Sequence, residues 1–175
     1  MIFTSQSGLS DPAREREWDA WYVEHLRIMV TVPGIGSAQR FKTDRAGYPP
    51  SLAMYSIASA DVFADPYYQR VRGMGAWLPL IDTKHYRRNL FAGLETAPDV
   101  PDDRTLVVVD REQPAELPGV TLTWLEAVGL DRSTPYRGIA VVTGAAAEAL
   151  ARHDVGVYRP VAARTVPLSA RTVPL

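Results

Sequence analysis

Residues 13–36 read AREREWDAWYVEHLRIMVTVPGIG, and their spacing decides how the first half of the chain is organised. Trp18, Trp21, Tyr22, His25, Ile28, Met29 and Val32 recur at three- and four-residue intervals, the period of a helix with one apolar face. Arg14, Glu15, Arg16, Glu17 and Glu24 fall mainly on the other side. Asp11 can cap the free amides at the start, and Pro12 suits the first helical position. Pro33-Gly34 stops the run, so a helix is expected over about 13–31.

Working outward, residues 2–5 read as a short first strand, and 35–43 and 52–58 as strands separated by the loop DRAGYPP at 44–50. Residues 60–74 read as helical with a second start at Asp65-Pro66, and 86–94 return to extended character. Strand, helix, strand, strand, helix, strand is the split βαβ order, which predicts an antiparallel sheet with helices on one face. The segment TAPDVPDDR at 96–104 reads as a linker. Beyond it, strands are expected at 105–109, 120–127, 136–142 and 155–162, with a short helix at 145–152.

The second half thus repeats the plan with its first helix reduced to the loop Gln113-Pro114-Ala115-Glu116, and Leu117-Pro118-Gly119-Val120 echoes Val32-Pro33-Gly34-Ile35. The expected fold class is α+β: two ferredoxin-like βαββαβ halves, the second degenerate, in a dimeric-α+β-barrel-type architecture. The boundaries are 1–95 for the first half with its pocket, 104–163 for the second, and 164–175 for a C-terminal extension. That extension holds ARTVPL twice, at 163–168 and 170–175, which reads as a local duplication rather than a solenoid. A strand-adding dimer arm is its alternative.

Composition narrows the function classes. A net charge of −1 gives no bulk attraction to nucleic acid or an anionic membrane. The absence of cysteine removes disulfides, thiolate nucleophiles and cysteine-based metal sites. No secretory signal and no apolar run of the ~20 residues that a span requires are visible, so a cytoplasmic location is expected. The three histidines show no metal-binding spacing, and no phosphate loop, dinucleotide fingerprint or nucleophile elbow is present.

His25 is the sharpest candidate for chemistry. Its helical neighbours are aromatic or aliphatic, so its imidazole is expected to be desolvated and neutral. The structural alternative is a core histidine bonded to a carbonyl or carboxylate. Arg40 and Tyr55, on the two following strands, are the candidates for steadying a carboxylate or enolate oxygen, with a surface ion pair as the plain alternative for Arg40.

Glu17 to His25 (EWDAWYVEH), followed by Val32 to Phe41 (VPGIGSAQRF), resembles the EthD-like group of the dimeric α+β-barrel superfamily. The resemblance covers about the first 95 residues. It implies a small-molecule pocket between sheet and helices, with His25, Arg40 and Tyr55 as catalytic groups. The pocket walls would be Trp18, Trp21, Tyr22, Met29, Tyr67, Tyr68, Trp77, His85 and Tyr86, which suit an aromatic or polyketide-like ligand. The expected activity is cofactor-independent proton transfer by His25 on a carbonyl-bearing metabolite, of lyase, dehydratase, cyclase or isomerase type. A cofactor-free monooxygenase and a non-catalytic binding or assembly module are the alternatives. No metal or organic cofactor is expected, with haem on His25 or His85 the precedent to weigh. The expected partners are a small-molecule substrate and a second copy in a homodimer.

Overall fold

The computed structural model describes residues 1–150 and 153–168. Eight strands carry the architecture: β1 (Ile2–Ser7), β2 (Ile35–Lys42), β3 (Ser51–Ile57), β4 (Arg87–Ala92), β5 (Arg104–Arg111), β6 (Thr123–Leu130), β7 (Tyr136–Thr143) and β8 (Gly156–Pro160). Three α-helices accompany them: α1 (Glu15–Met29), α2 (Pro66–Val71) and α3 (Gly144–Leu150). None of these helices is long and apolar enough to cross a membrane.

The strands form one closed antiparallel barrel in the order β1-β3-β2-β8-β5-β7-β6-β4. This overturns the expected fold class. Two ferredoxin-like α+β halves would each present a sheet with free edges. Here β2 pairs with β8 and β4 pairs with β6, so the edges of each half are hydrogen-bonded to the other within one continuous sheet. The molecule is mostly sheet, and the expected dimeric, ferredoxin-like α+β description does not hold. Closure within one chain also removes sheet-edge pairing as a reason for a homodimer.

Strand alternation sorts the side chains into an interior and an outer layer. Ile2, Phe41, Leu52, Met54, Phe91, Leu106, Val108, Leu125, Ile139 and Tyr158 fill the barrel. Their neighbours in sequence, Phe3, Ala53, Tyr55 and Leu90, face outward beneath α1, α2 and the turns around them. On the far side, Val107 and Val109 face α3 and the loop carrying Leu117, Val120 and Leu122.

The interior holds one fully buried cation. Arg137 makes two 2.7 Å bonds to Asp110, donates to Gln6 at 2.9 Å and Thr4 at 3.2 Å, and lies over the Phe91 ring. A buried guanidinium is tolerable only when its fork is satisfied in this way.

Residues 96–104 are a plug rather than a loose linker. Ala97 and Val100 are buried in the interior cluster. Gln39 from β2 donates to Val100 O at 2.8 Å and accepts from Val100 N at 3.1 Å. Ala97 N donates to Ser56 Oγ at 2.8 Å. The Pro and Asp residues that suggest a linker bracket two apolar side chains that close the barrel.

The first ARTVPL copy lies along β2 of its own chain. Ala38 and Thr165 exchange backbone hydrogen bonds of 2.9 and 2.8 Å, and Arg164 donates to Ala97 O at 3.1 Å. The second copy lies outside the described residues.

Candidate functional site

Three local devices build a small cavity on the outer face of β1, β3 and β4. The first is α1, started by Asp11, whose carboxylate accepts from Ala13 N at 3.1 Å, with Pro12 opening the turn before it. The second is α2, capped by Asp65, which accepts from Tyr67 N at 2.7 Å and Tyr68 N at 2.9 Å. The third is register. Ser5 lies between Ala53 and Arg88, and Phe3 between Tyr55 and Leu90, so these side chains form adjacent rows on the outer face.

The cavity encloses about 40 Å³ and is lined by Phe3, Ser5, Tyr22, His25, Met29, Tyr55, Tyr68, Arg72, Gly73, Met74, Tyr86 and Arg88. That is room for a water molecule. Two guanidinium side chains line it and no carboxylate does.

His25 stacks on Trp21, with ring centroids 4.8 Å apart and planes 10° from parallel, and meets Tyr22 edge-on at 5.8 Å. Burial away from water lowers its pKa from 6.5 to about 4, so the imidazole is neutral at pH 7. Tyr22 and Tyr55 are both pushed above the usual phenol range, first by burial. The hydroxyls of Ser5 and Tyr55 act as hydrogen-bond partners of the Tyr22 oxygen. The Tyr22 hydroxyl thus lies at the cavity wall beside those of Ser5 and Tyr55.

Arg40 does not line the cavity. Its Nη1 lies 2.8 Å from Asp19 Oδ1, its Nε donates to Ser51 Oγ at 3.0 Å, and its guanidinium sits 4.4 Å from the ring centres of both Trp18 and Tyr22. It is a buried cation clamped between α1 and β2. Its positive charge opposes the effect of burial on Tyr22, behind whose ring it sits. Arg40 thus stands behind the Tyr22 ring and outside the cavity lining, with its Nη2 buried and without a hydrogen-bond partner.

The structure brings six of the expected residues to one wall: His25, Tyr55, Tyr22, Met29, Tyr68 and Tyr86. It separates the rest. Trp18 packs under Arg40. Trp21 backs His25, and Trp77 backs Trp21 at 6.4 Å with Arg14 over its ring. The Tyr67 hydroxyl bonds Thr31 Oγ1 at 2.9 Å. His85 lies near Asp82 and lines a different cleft with Lys42 and Lys84.

Sequence reasoning missed Phe3, Ser5, Arg72, Met74 and Arg88. A period-two reading of β1 and β4 was available for Phe3, Ser5 and Arg88: Phe3 and Ser5 alternate with interior Ile2, and Arg88 alternates with interior Asn89. Nothing local marked Arg72 or Met74, which reach the cavity through the irregular chain after α2.

Among the described residues, no group of three His, Cys, Asp or Glu side chains could hold a metal ion. In comparisons with known proteins, no family model, no curated protein and no solved structure matches the chain. The EthD-like resemblance rests on the residues quoted for it. Neither the site nor the comparisons support the narrower expectation of a lyase or an isomerase.

Proposed function

We propose that the chain is a cofactor-independent enzyme in which neutral His25 takes a proton from a small carbonyl-bearing metabolite. The observation that carries this reading is the joint placement, on one water-poor wall, of a neutral imidazole and a tyrosine donor. His25 supplies a base with no proton of its own to lose first. Tyr22, fixed by Ser5 and Tyr55, supplies an O–H for the oxygen on which charge develops. Arg40 behind the Tyr22 ring stabilises the negative charge that gathers on that phenol as its proton shifts toward the ligand oxygen. The residues that carry the EthD-like resemblance contribute Tyr22 and His25 to this wall.

The test is proton exchange, which registers deprotonation whatever the product turns out to be. Aromatic ketones and β-dicarbonyl compounds are incubated with the protein in D2O, and loss of the α-proton is followed by NMR. The wild type is expected to accelerate exchange for at least one compound that stabilises it thermally. His25→Ala is expected to lose about 100-fold or more of that rate, and Tyr22→Phe about 10- to 100-fold. Compounds that bind but show no exchange above buffer would leave the cavity as a binding site without this chemistry.

A further inference from the structure

Resting on that reading of the cavity, we propose that its ligand is an anion, an aromatic carboxylate whose carboxylate group is received by Arg88 and Arg72. The inference starts from what these two cations lack. Among the described residues, the Arg88 guanidinium makes no hydrogen bond and no ion pair, and its Nε is buried without a partner. Asp131 lies nearby but is committed to the backbone: its carboxylate accepts from Arg88 N at 2.7 Å, and its own N donates to Arg88 O. The Arg88 guanidinium lies 5.9 Å from the centre of the Tyr86 ring.

The Arg88 side chain is half-buried and its Nε alone is sealed from water; a buried donor with nothing to bond is costly, and a carboxylate answers a guanidinium with two parallel acceptors. Arg72 stands at the exposed end of the same cavity. Its Nε donates to Gln69 at 2.8 Å, which leaves both Nη groups for a ligand. Both guanidinium groups act on the Tyr68 hydroxyl, each favouring its ionised form, which places their positive fields at one point of the wall. No carboxylate lines the cavity beside these two cations. The remaining wall is aromatic, which suits a planar ring lying against it.

The enclosed volume is about 40 Å³, well below the ~300 Å³ of a typical small-molecule site, so a ligand must displace part of the wall. Met74 is the part built to move. It is the buried side chain between Gly73 and Gly75, which have φ of +96° and +50° and open space around their Cα positions. A flexible thioether on a glycine-flanked turn can withdraw without disturbing α1 or the sheet. A bound carboxylate near His25 also favours the imidazolium, which brings the base back toward the neutral range where proton transfer is most effective.

The experiment uses matched probes, 2-naphthoate and its methyl ester, titrated calorimetrically into the wild type, Arg88→Gln, Arg72→Gln and His25→Ala. The acid is expected to bind the wild type and His25→Ala, and to lose about tenfold or more in affinity in each arginine variant. The ester is expected to bind all four equally and weakly. Arg72 is exposed, so its variant tests the inference even where Arg88→Gln fails to fold. Equal affinity for acid and ester, unchanged acid affinity in Arg72→Gln, or no saturable binding of the acid would each overturn the proposal. Acid binding that depends on the arginines, without proton exchange in the wild type, keeps the anion site and removes the catalytic reading. Proton exchange in the wild type, with the acid bound no better than the ester, does the reverse.

Discussion

His25 holds its neutral form at a cost that acid reveals. Its pKa falls from 6.5 to about 4 on folding because the ring is desolvated against Trp21, Tyr22 and the phenols of the cavity, with only Arg72 and Arg88 as charged neighbours there. The unfolded chain therefore binds more protons than the native one between pH 6.5 and 4, and stability drops as pH falls through that window. The largest loss consistent with the shift is about 3 kcal/mol. His25→Phe keeps a flat ring on Trp21 but cannot titrate. Urea unfolding at pH 7 and about pH 4.5 is expected to show a smaller acid penalty in the variant, with His85 and His153 common to both proteins. An equal penalty would mean that the native imidazole is solvated. The residues of the wall are legible in the sequence where they obey a helical period, as His25, Tyr22 and Met29 do. Trp18, Trp21 and Trp77 share the same composition yet back the site or pack beneath Arg40, because periodicity gives a face and not a depth. Arg88 is hidden for another reason: its worth lies in a missing partner, which only packed neighbours disclose.

The joint between α1 and β2 is electrostatic as well as apolar. Arg40 lies sealed between the Trp18 and Tyr22 rings, and Asp19, one turn before Tyr22's neighbour Val23, closes the pair at 2.8 Å. Lys42 reaches the same Asp19 at 3.0 Å and Glu15 at 2.6 Å, so the rim of the joint is a small network. Replacing Arg40 by Met keeps the bulk and removes the cation, while Asp19 retains Lys42. The expected loss is about 3 kcal/mol, at the low end for a broken buried pair because the remaining carboxylate is not orphaned. Arg40→Lys should fall between, since an ammonium keeps the charge without the planar fork that stacks on two rings. Chemical denaturation followed by tryptophan fluorescence measures both, and a cost below about 0.5 kcal/mol for Arg40→Met would place Arg40 with ordinary surface pairs. Strands and helices themselves are largely readable from caps, alternation and breakers: Asp11-Pro12, Asp65-Pro66 and Pro33-Gly34 all mark real boundaries. The stretch 60–74 is less helical than its pattern predicts. It divides into the 3-10 turn Ala60–Ala64 and α2, because Asp65 in extended conformation restarts the backbone.

Closure of the barrel is the feature that local pattern could not disclose, because an edge strand and a seam strand have the same alternation. β2 reads as a strand in either case, and only its register against β8 shows that the two halves are one sheet. That seam is short: the pairs are Phe41 with Pro160 and Lys42 with Arg159. The chain after β8 extends it. Val161 N donates to Arg40 O, Ala38 and Thr165 bond in both directions, Gln39 donates to Ala162 O, and Arg164 donates to Ala97 O on the plug. At about 1 kcal/mol each, these five bonds contribute roughly 5 kcal/mol. A chain ending at Pro160 lacks all of them and leaves the Ala38 stretch of β2 as a bare edge. A chain ending at Leu168 keeps them and is the reference for the comparison. The shorter chain is expected to melt about 10–20 °C lower than the reference and to aggregate on heating. Melting within about 2 °C of the reference would show that the two-pair ladder alone closes the barrel, and that the first ARTVPL copy rests on β2 without holding it.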